Sequence, residues 1–391
     1  MREGPSSSTR ARLLALLLPA WLLDGGCTRD APPEPRARVT MEAIDPPAAA
    51  PSERETAARP SVPELGPPPA VDWRFADLDA ALEEAARAGK LVLVDFGAYW
   101  CTACHELDVE VFARPEVGAF VRERFVAVQL DAEKGEGPEL VERYGISSYP
   151  TLLVLEAGGV ERGRITDAAP WPQLQVALEQ IAAREGALAS LEDAAGALPP
   201  DLPALARLAF AYARTGRAVE ALRIYTRILE AAPEGRLAER VRYERAAFAQ
   251  AAAGARDDAL AALVGLREAS TRAQPAIWAA RRELALRAEG ARAILDALVA
   301  AAPRDRDRLA TRGEYCVEVE GAPACAALIE QAIEQHPRAA ELHHALAEVT
   351  RRGGDSARAL AAAEDALRLE PLSQRYQALV RELRGADGGP A

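Results

Sequence analysis

Hydrophobic and polar positions follow two different periods along the chain. At 77–89 (DLDAALEEAARAG) apolar residues recur at helical spacing and the run closes on a glycine, which predicts a helix with its own stop. At 91–96 Leu-Val-Leu-Val-Asp-Phe is a short apolar run with β-branched Val92 and Val94, as expected of a strand buried on both faces. It leads through Gly97-Ala98-Tyr99 into Trp100-Cys101-Thr102-Ala103-Cys104-His105, so the strand delivers a Cys-x-x-Cys to a helix start. Helical spacing continues to about Arg124 with a break at Pro115. A second strand is predicted at 125–130, a short helix at 139–144, a third strand at 151–155, a Gly158-Gly159 turn, a fourth strand at 160–165 and an amphipathic helix at 171–184.

From about residue 187 the strand signals end and alanine-rich helical spacing takes over. Pro303, Pro337 and Pro371 fall at intervals of 34 residues, with Pro233 two such periods plus two residues earlier. The 202–235 unit carries Leu205, Leu208, Ala209, Tyr212, Gly216, Ala221, Tyr225 and Pro233, and the 340–373 unit repeats Leu346, Ala347, Gly354, Ala359 and Pro371. This period and spacing resemble the tetratricopeptide repeat, in which small residues at the eighth and twentieth positions let two antiparallel helices approach. Units at 240–271, 272–305 and 306–339 are degenerate but in phase, so residues 187–385 read as an all-α superhelix of four to five units. Its usual use is binding a protein or peptide; the plainer use is a spacer or a cap on the preceding domain.

Composition narrows the classes. Over 391 residues the net charge is −12 and Lys+Arg (47) are outnumbered by Asp+Glu (59), with no dense basic run, so nucleic acid is not the expected partner. No apolar run reaches the roughly 18 residues a membrane helix needs. Residues 1–27 do read as a secretory signal: Arg2, Arg10 and Arg12 precede an eleven-residue apolar run at 13–23 and then Asp24-Gly25-Gly26-Cys27. Gly26-Cys27 resembles a bacterial lipobox, making Cys27 a candidate for lipidation, although Asp24 departs from the pattern; a plain cleaved signal and an uncleaved anchor, which the short run disfavours, are the alternatives. Residues 28–70, rich in Pro, Ala, Glu and Arg, are expected to be an extended tether. The other cysteines form two close pairs, Cys101/Cys104 and Cys316/Cys325, as export to an oxidising compartment predicts.

Residues 71–186, with a Cys-x-x-Cys after the first central strand and Tyr149-Pro150-Thr151 before the third, resemble the thioredoxin fold, a central mixed sheet flanked by helices. LVLVDFGAYWCTACHELD at 91–108 is most similar to the C-terminal periplasmic domain of the thiol:disulfide interchange protein DsbD. Half of a zinc ribbon also begins Cys-x-x-Cys. No second such pair exists and His105 has no companion at ligand spacing, so no metal is expected, and no cofactor is implied. Cys101, at the helix N-terminus, is the expected attacking thiolate, and Cys104, a turn deeper and less exposed, the sulfur that resolves the mixed disulfide. The resemblance implies that Asp95 is the buried carboxyl that takes the Cys104 proton and that Asp108 is a second acid beside it. It also implies that Pro150 is cis and that the Tyr149 backbone and Trp100 form the substrate-docking edge. Packing alone is the alternative for Trp100, and a solvated helix face for Asp108.

Cys316 and Cys325 fall at the eleventh and twentieth positions of their unit, opposite each other across a helix hairpin, which suggests a structural disulfide. Free buried thiols, or exchange with Cys101/Cys104, are the alternatives. His336, His343 and His344 lack a ligand set and read as surface histidines. Together these features predict an exported, envelope-located thiol–disulfide oxidoreductase, tethered on the periplasmic side. It would take electrons from a membrane donor and reduce cysteine-containing exported proteins, with its repeats binding a partner. The rival is a non-catalytic assembly protein, against which the retention of both Cys101 and Cys104 argues.

Overall fold

The computed structural model describes residues 61–197, 199–286 and 290–387; the predicted signal run, Cys27 and most of the predicted tether lie outside these residues. Within them a five-stranded mixed sheet comes first. Its strands are β1 (Arg74–Phe75), β2 (Leu91–Gly97), β3 (Phe125–Asp131), β4 (Thr151–Leu155) and β5 (Glu161–Ile165), in the spatial order β1-β3-β2-β4-β5. β2 runs parallel to β3 and antiparallel to β4. The period-2 rule sorts the β2 side chains: Val92, Val94 and Phe96 enter one core, with Leu78, Leu82 and Leu140, while Leu93 enters the other, with Leu107, Phe112, Phe120 and Trp171. Asp95, two residues from Leu93, therefore lies on the second face.

The helices follow the pattern closely. α1 (Leu78–Ala88) is capped by Asp77, whose side chain accepts from the Ala80 N–H, and ends at Gly89 with φ 65°. α2 (Thr102–Leu107) passes into a π-helical turn (Asp108–Phe112), and Pro115 opens α3 (Pro115–Arg124) rather than bending one long helix. α4 (Gly137–Tyr144) and α5 (Trp171–Ala182) complete the domain. The short edge strand β1 escapes the sequence reading because two residues carry no periodic signal.

After α6 (Ala187–Ala195) the described residues form successive antiparallel helix pairs: α7 (Leu202–Arg214) with α8 (Ala218–Ala231), α9 (Arg236–Glu244) with α10 (Arg256–Ala269), and α11 (Ala273–Leu286) with α12 (Ala291–Ala300). α13 (Arg306–Glu320) with α14 (Ala322–Gln335) and α15 (Ala340–Arg352) with α16 (Ser356–Leu369) follow, and α17 (Gln374–Asp387) packs on the last pair. Ala209 with Ala221, and Ala347 with Ala359, are wholly buried at the predicted close-approach positions. Cys316 and Cys325 are joined by a disulfide across α13 and α14, with Cα atoms 5.6 Å apart. A loop this short contributes about 2–3 kcal/mol by unfolded-chain entropy.

The surface expected to receive a partner protein receives the chain's own first domain. The first helix of successive pairs faces the α1/α4 side of the sheet. Arg143 of α4 is buried between Glu139 and, at 3.1 Å, Glu244 of α9, with its guanidinium 4.0 Å above the Phe210 ring of α7. Arg214 reaches Asp79 at 2.6 Å and Arg272 reaches Glu142 at 3.0 Å. The β4–β5 turn completes the contact: Gly159 has φ 78°, and a Cβ there would stand 2.8 Å from Phe210, so only glycine permits both the turn and the approach.

Two expectations change. The final stretch of the predicted tether is pinned: Val62 and Leu65 pack on the last repeats, the Gly66 carbonyl accepts from Arg381 at 2.6 Å, and the Ala70 N–H donates to Phe112 O at 2.7 Å. His344 is not a surface histidine. It is buried with its ring 5.0 Å from that of Tyr376, and burial, reinforced by Arg375, holds it well below the ordinary imidazole value. His336 and His343 are half-buried, each with Nε2 near a backbone carbonyl, of Arg304 and Pro337 respectively.

Candidate active site

Cys101 caps α2 in an extended conformation, and its Sγ accepts from the Cys104 N–H at 3.2 Å. The two sulfurs are bonded, with Cα atoms 5.3 Å apart. Their placement follows from the strand: β2 ends at Gly97, and the turn formed by Cys101 N–H donating to Ala98 O at 2.9 Å starts the helix. An N–H aimed at Sγ and the positive end of the helix favour a thiolate on Cys101 once the pair is reduced. The expected difference in exposure is absent, since Cys101 is 5% and Cys104 7% exposed. Ala98, Ala103 and Tyr149 pack around both.

Two buried carboxyls line a cavity together with Cys104. Asp95 is 3% and Asp108 5% exposed, and the Gln129 amide donates to both, at 3.0 and 2.9 Å. Burial, then the Asp108 charge, push Asp95 up to about 7, against the Gln129 hydrogen bond and His105, which pull it down. His105 donates through Nε2 to the Tyr99 carbonyl at 2.7 Å, and its Nδ1 stands 3.7 Å from Asp108, an ion-pair distance rather than a hydrogen bond. Burial works against its charge, but Asp108 and the Tyr99 carbonyl outweigh it and raise His105 above the ordinary imidazole value.

Gln129 and His105 were not singled out by the sequence reading as members of this site. Gln129 had one usable signal: it is the polar residue inside the apolar run of β3, and its partner in register on β2 is Asp95. Asp108 owes its burial to its position at the start of the π-helical turn, against a solvated face in the alternative reading.

On the outer side the Tyr149-Pro150 peptide is cis, and Trp100, 55% exposed, meets Tyr149 edge-to-face with ring centroids 6.0 Å apart. Tyr99 is also exposed. The sulfurs are thus flanked by an open aromatic edge on one side and a buried acid pair on the other.

The fold and this site define a thioredoxin-like domain with a Cys-x-x-Cys redox pair, continued by tetratricopeptide-type repeats. Residues 72–157 match the thioredoxin-like family. The thiol:disulfide interchange protein DsbD of Pseudomonas fluorescens is 32% identical over 88 residues, 22% of this chain and 15% of that protein. A rice H-type thioredoxin is 32% identical over 82 residues, 21% of this chain and 62% of the relative. The chain therefore spans only a small part of the DsbD proteins it matches. Among solved structures, a thioredoxin from Thermus thermophilus is 28% identical, covering 31% of this chain and 93% of its own, at a TM-score of 0.28. A thermophilic tetratricopeptide repeat protein from the same species is 21% identical, covering 54% and 96%, at 0.27. The coarse chemistry is that of a thiol–disulfide oxidoreductase.

Asp95→Asn is expected to slow turnover at pH 7 by about 10²-fold, the lower range for loss of a general base. The loss shrinks above about pH 9, where a thiol of ordinary pKa near 8.5 ionises unaided. A pH–rate profile of disulfide reduction checks this, and an equal loss at every pH would assign Asp95 to structure. Stability gives a second readout. With a folded pKa about 7 and an unfolded value near 3.9, the folded state holds a proton the unfolded state lacks between those values, so wild-type stability falls as pH rises through that window. The Asn variant should not share that fall in melts from pH 4 to pH 8.

Proposed function

We propose that this chain is an exported reductant of protein disulfides, working on the periplasmic side of a bacterial envelope from a tether at its N-terminus. The observation that carries the reading is the Cys101–Cys104 pair at a helix start, with Cys104 lining the same cavity as the buried Asp95. In the reduced state the Cys101 thiolate attacks a client disulfide. One client sulfur joins Cys101 and the other leaves as a thiolate that takes up a proton. Cys104 then gives its proton to Asp95 and attacks Cys101, which forms the intrachain disulfide and releases the second client thiolate. Two electrons pass to the client, and a dithiol donor must restore the pair.

Among the described residues no helix is long and apolar enough to cross a membrane. The donor is therefore proposed to be a separate membrane protein that presents a dithiol. Clients are exported proteins with cysteines, which dock along Trp100 and Tyr149. The repeats hold the catalytic domain on their inner helices and leave their outer helices for partners.

The redox potential of the couple tests the direction of electron flow. Equilibrated against dithiol buffers, a reductant should fall near the about −270 mV of thioredoxins, whereas a value near about −120 mV would mark an oxidant. Because a difference of about 30 mV corresponds to ~1.4 kcal/mol, the two are well separated.

A further inference from the structure

A cavity of about 90 Å³ lies beside the redox pair, and both domains wall it. Its inner wall includes Cys104, Asp95, Asp108 and Gln129; its outer wall is formed by residues 372–376, the entry and first turn of α17. Lys134, on the loop after β3, lines it and is latched to the repeats. Its Nζ pairs with Glu370, stands 3.5 Å from Asp131, and sits 4.9 Å from the Tyr99 ring and 5.7 Å from the Tyr376 ring.

Four buried polar atoms here lack a hydrogen-bond partner within the protein: Asp95 Oδ1, His105 Nδ1, Glu370 Oε2 and Gln374 Oε1. Two come from each domain. Buried polar atoms of this kind are costly unless solvated, and a polar cavity of this size accepts a few water molecules. An isolated thioredoxin-like domain would open this side of Asp95 to bulk water. In this chain the repeats cover it.

Resting on the reading of Cys101 and Cys104 as a redox pair, we propose that residues 372–376 are the outer wall of the resolving proton-transfer site, latched from behind by Lys134 and Glu370, so that the repeat domain sets the pH range in which the mixed disulfide is resolved. Glu370 and Lys134 are positioning residues that act through Asp95. In the resolving step the Cys104 S–H passes its proton to the Asp95 carboxylate, and the thiolate forms the bond to Cys101 Sγ as the Cys101–client bond breaks. The electron pair leaves on the client sulfur, and Asp95 returns the proton to Cys104 when the donor re-reduces the pair. The catalytic domain's charged and titratable groups at this cavity are His105, Asp108, Tyr99, Asp131, Lys134 and Glu136. The repeat domain adds Arg375 and Tyr376, with Glu370 behind them. Opening the wall hydrates the Asp95 carboxylate, which favours its charged form and moves the resolving step toward acid.

The test uses the full chain carrying a preformed mixed disulfide between Cys101 and thionitrobenzoate, with release of the coloured thiol followed by stopped flow from pH 5 to 9. Glu370→Gln should move the midpoint to lower pH by about half a unit or more, and Glu370→Asp should restore much of it. Leu372→Ala, which thins the wall at an exposed position, should move it the same way by less. Midpoints of Glu370→Gln and Leu372→Ala both within about 0.2 unit of wild type would overturn the proposal. The wild-type chain gives an arm that needs no variant: native carbodiimide treatment at pH 6 should leave Asp95 unlabelled, and labelling at the rate of surface carboxyls would overturn the closed wall. Were Cys101→Ser to keep its activity, the redox reading itself would fall. Were it inactive and the midpoints unmoved, only this inference would.

Discussion

Cys101→Ser is expected to abolish disulfide reduction, with a loss on the order of 10³-fold or more, because a hydroxyl in place of the thiolate removes the attacking nucleophile. Insulin reduction by the full chain with an added dithiol measures it, and full activity in the variant would remove the catalytic reading. The companion Cys104→Ser behaves differently. Its Cys101 still attacks, but nothing resolves the product, so client proteins should accumulate as adducts on Cys101. The geometry supports this division of labour: the Cys104 N–H is aimed at Cys101 Sγ, while Cys104 shares the cavity with Asp95. Failure to recover any adduct from an envelope extract would favour the assembly-protein rival.

The second large effect is expected far from the sulfurs. Arg143 is buried on the catalytic domain with Glu139 beside it and Glu244 supplied by the repeats, and the Glu244 carboxylate also accepts from the Tyr225 hydroxyl at 3.3 Å. Arg143→Ala removes the cation shared by two buried carboxylates and leaves Glu244 only the more distant Arg240, at 3.8 Å, which costs about 3–5 kcal/mol. Denaturant unfolding of the full chain should show that loss, together with faster proteolysis between the domains. The triple variant Glu139→Gln, Arg143→Met, Glu244→Gln removes the charges together and should lose far less, since replacing a whole buried ionic group by neutral side chains is often close to neutral. A folded Arg143→Ala chain within about 1 kcal/mol of wild type would show that this network does not hold the domains together.

The legible part of the site was the part written in short-range order. The 91–96 run becomes β2, and the glycine and cysteine that follow it turn the chain into α2, because strand period, turn residues and helix start act over a few neighbours. The 34-residue proline spacing likewise gave the helix pairs, since each pair is built from its own unit. Gln129 was harder. Its meeting with Asp95 depends on strand register, which the apolar pattern of β3 constrains but does not spell out.

The sequence by itself determined a mixed-sheet segment followed by a helical array, the redox pair at the end of a buried strand, and the Cys316/Cys325 positions facing each other across a hairpin, all of which arise from contacts inside one supersecondary unit. Only the tertiary structure decided that the first helices of the repeats enclose the catalytic domain. That arrangement rests on pairs such as Arg143 with Glu244 and Lys134 with Glu370, which stand 101 and 236 residues apart in the chain. Each member alone is an ordinary charged residue at a helix or loop position. Its burial follows from the matching of two folded surfaces, a property of shape and charge that no local period carries. The same docking turns Asp95 from a carboxyl beneath an open active site into one walled in by the last repeat.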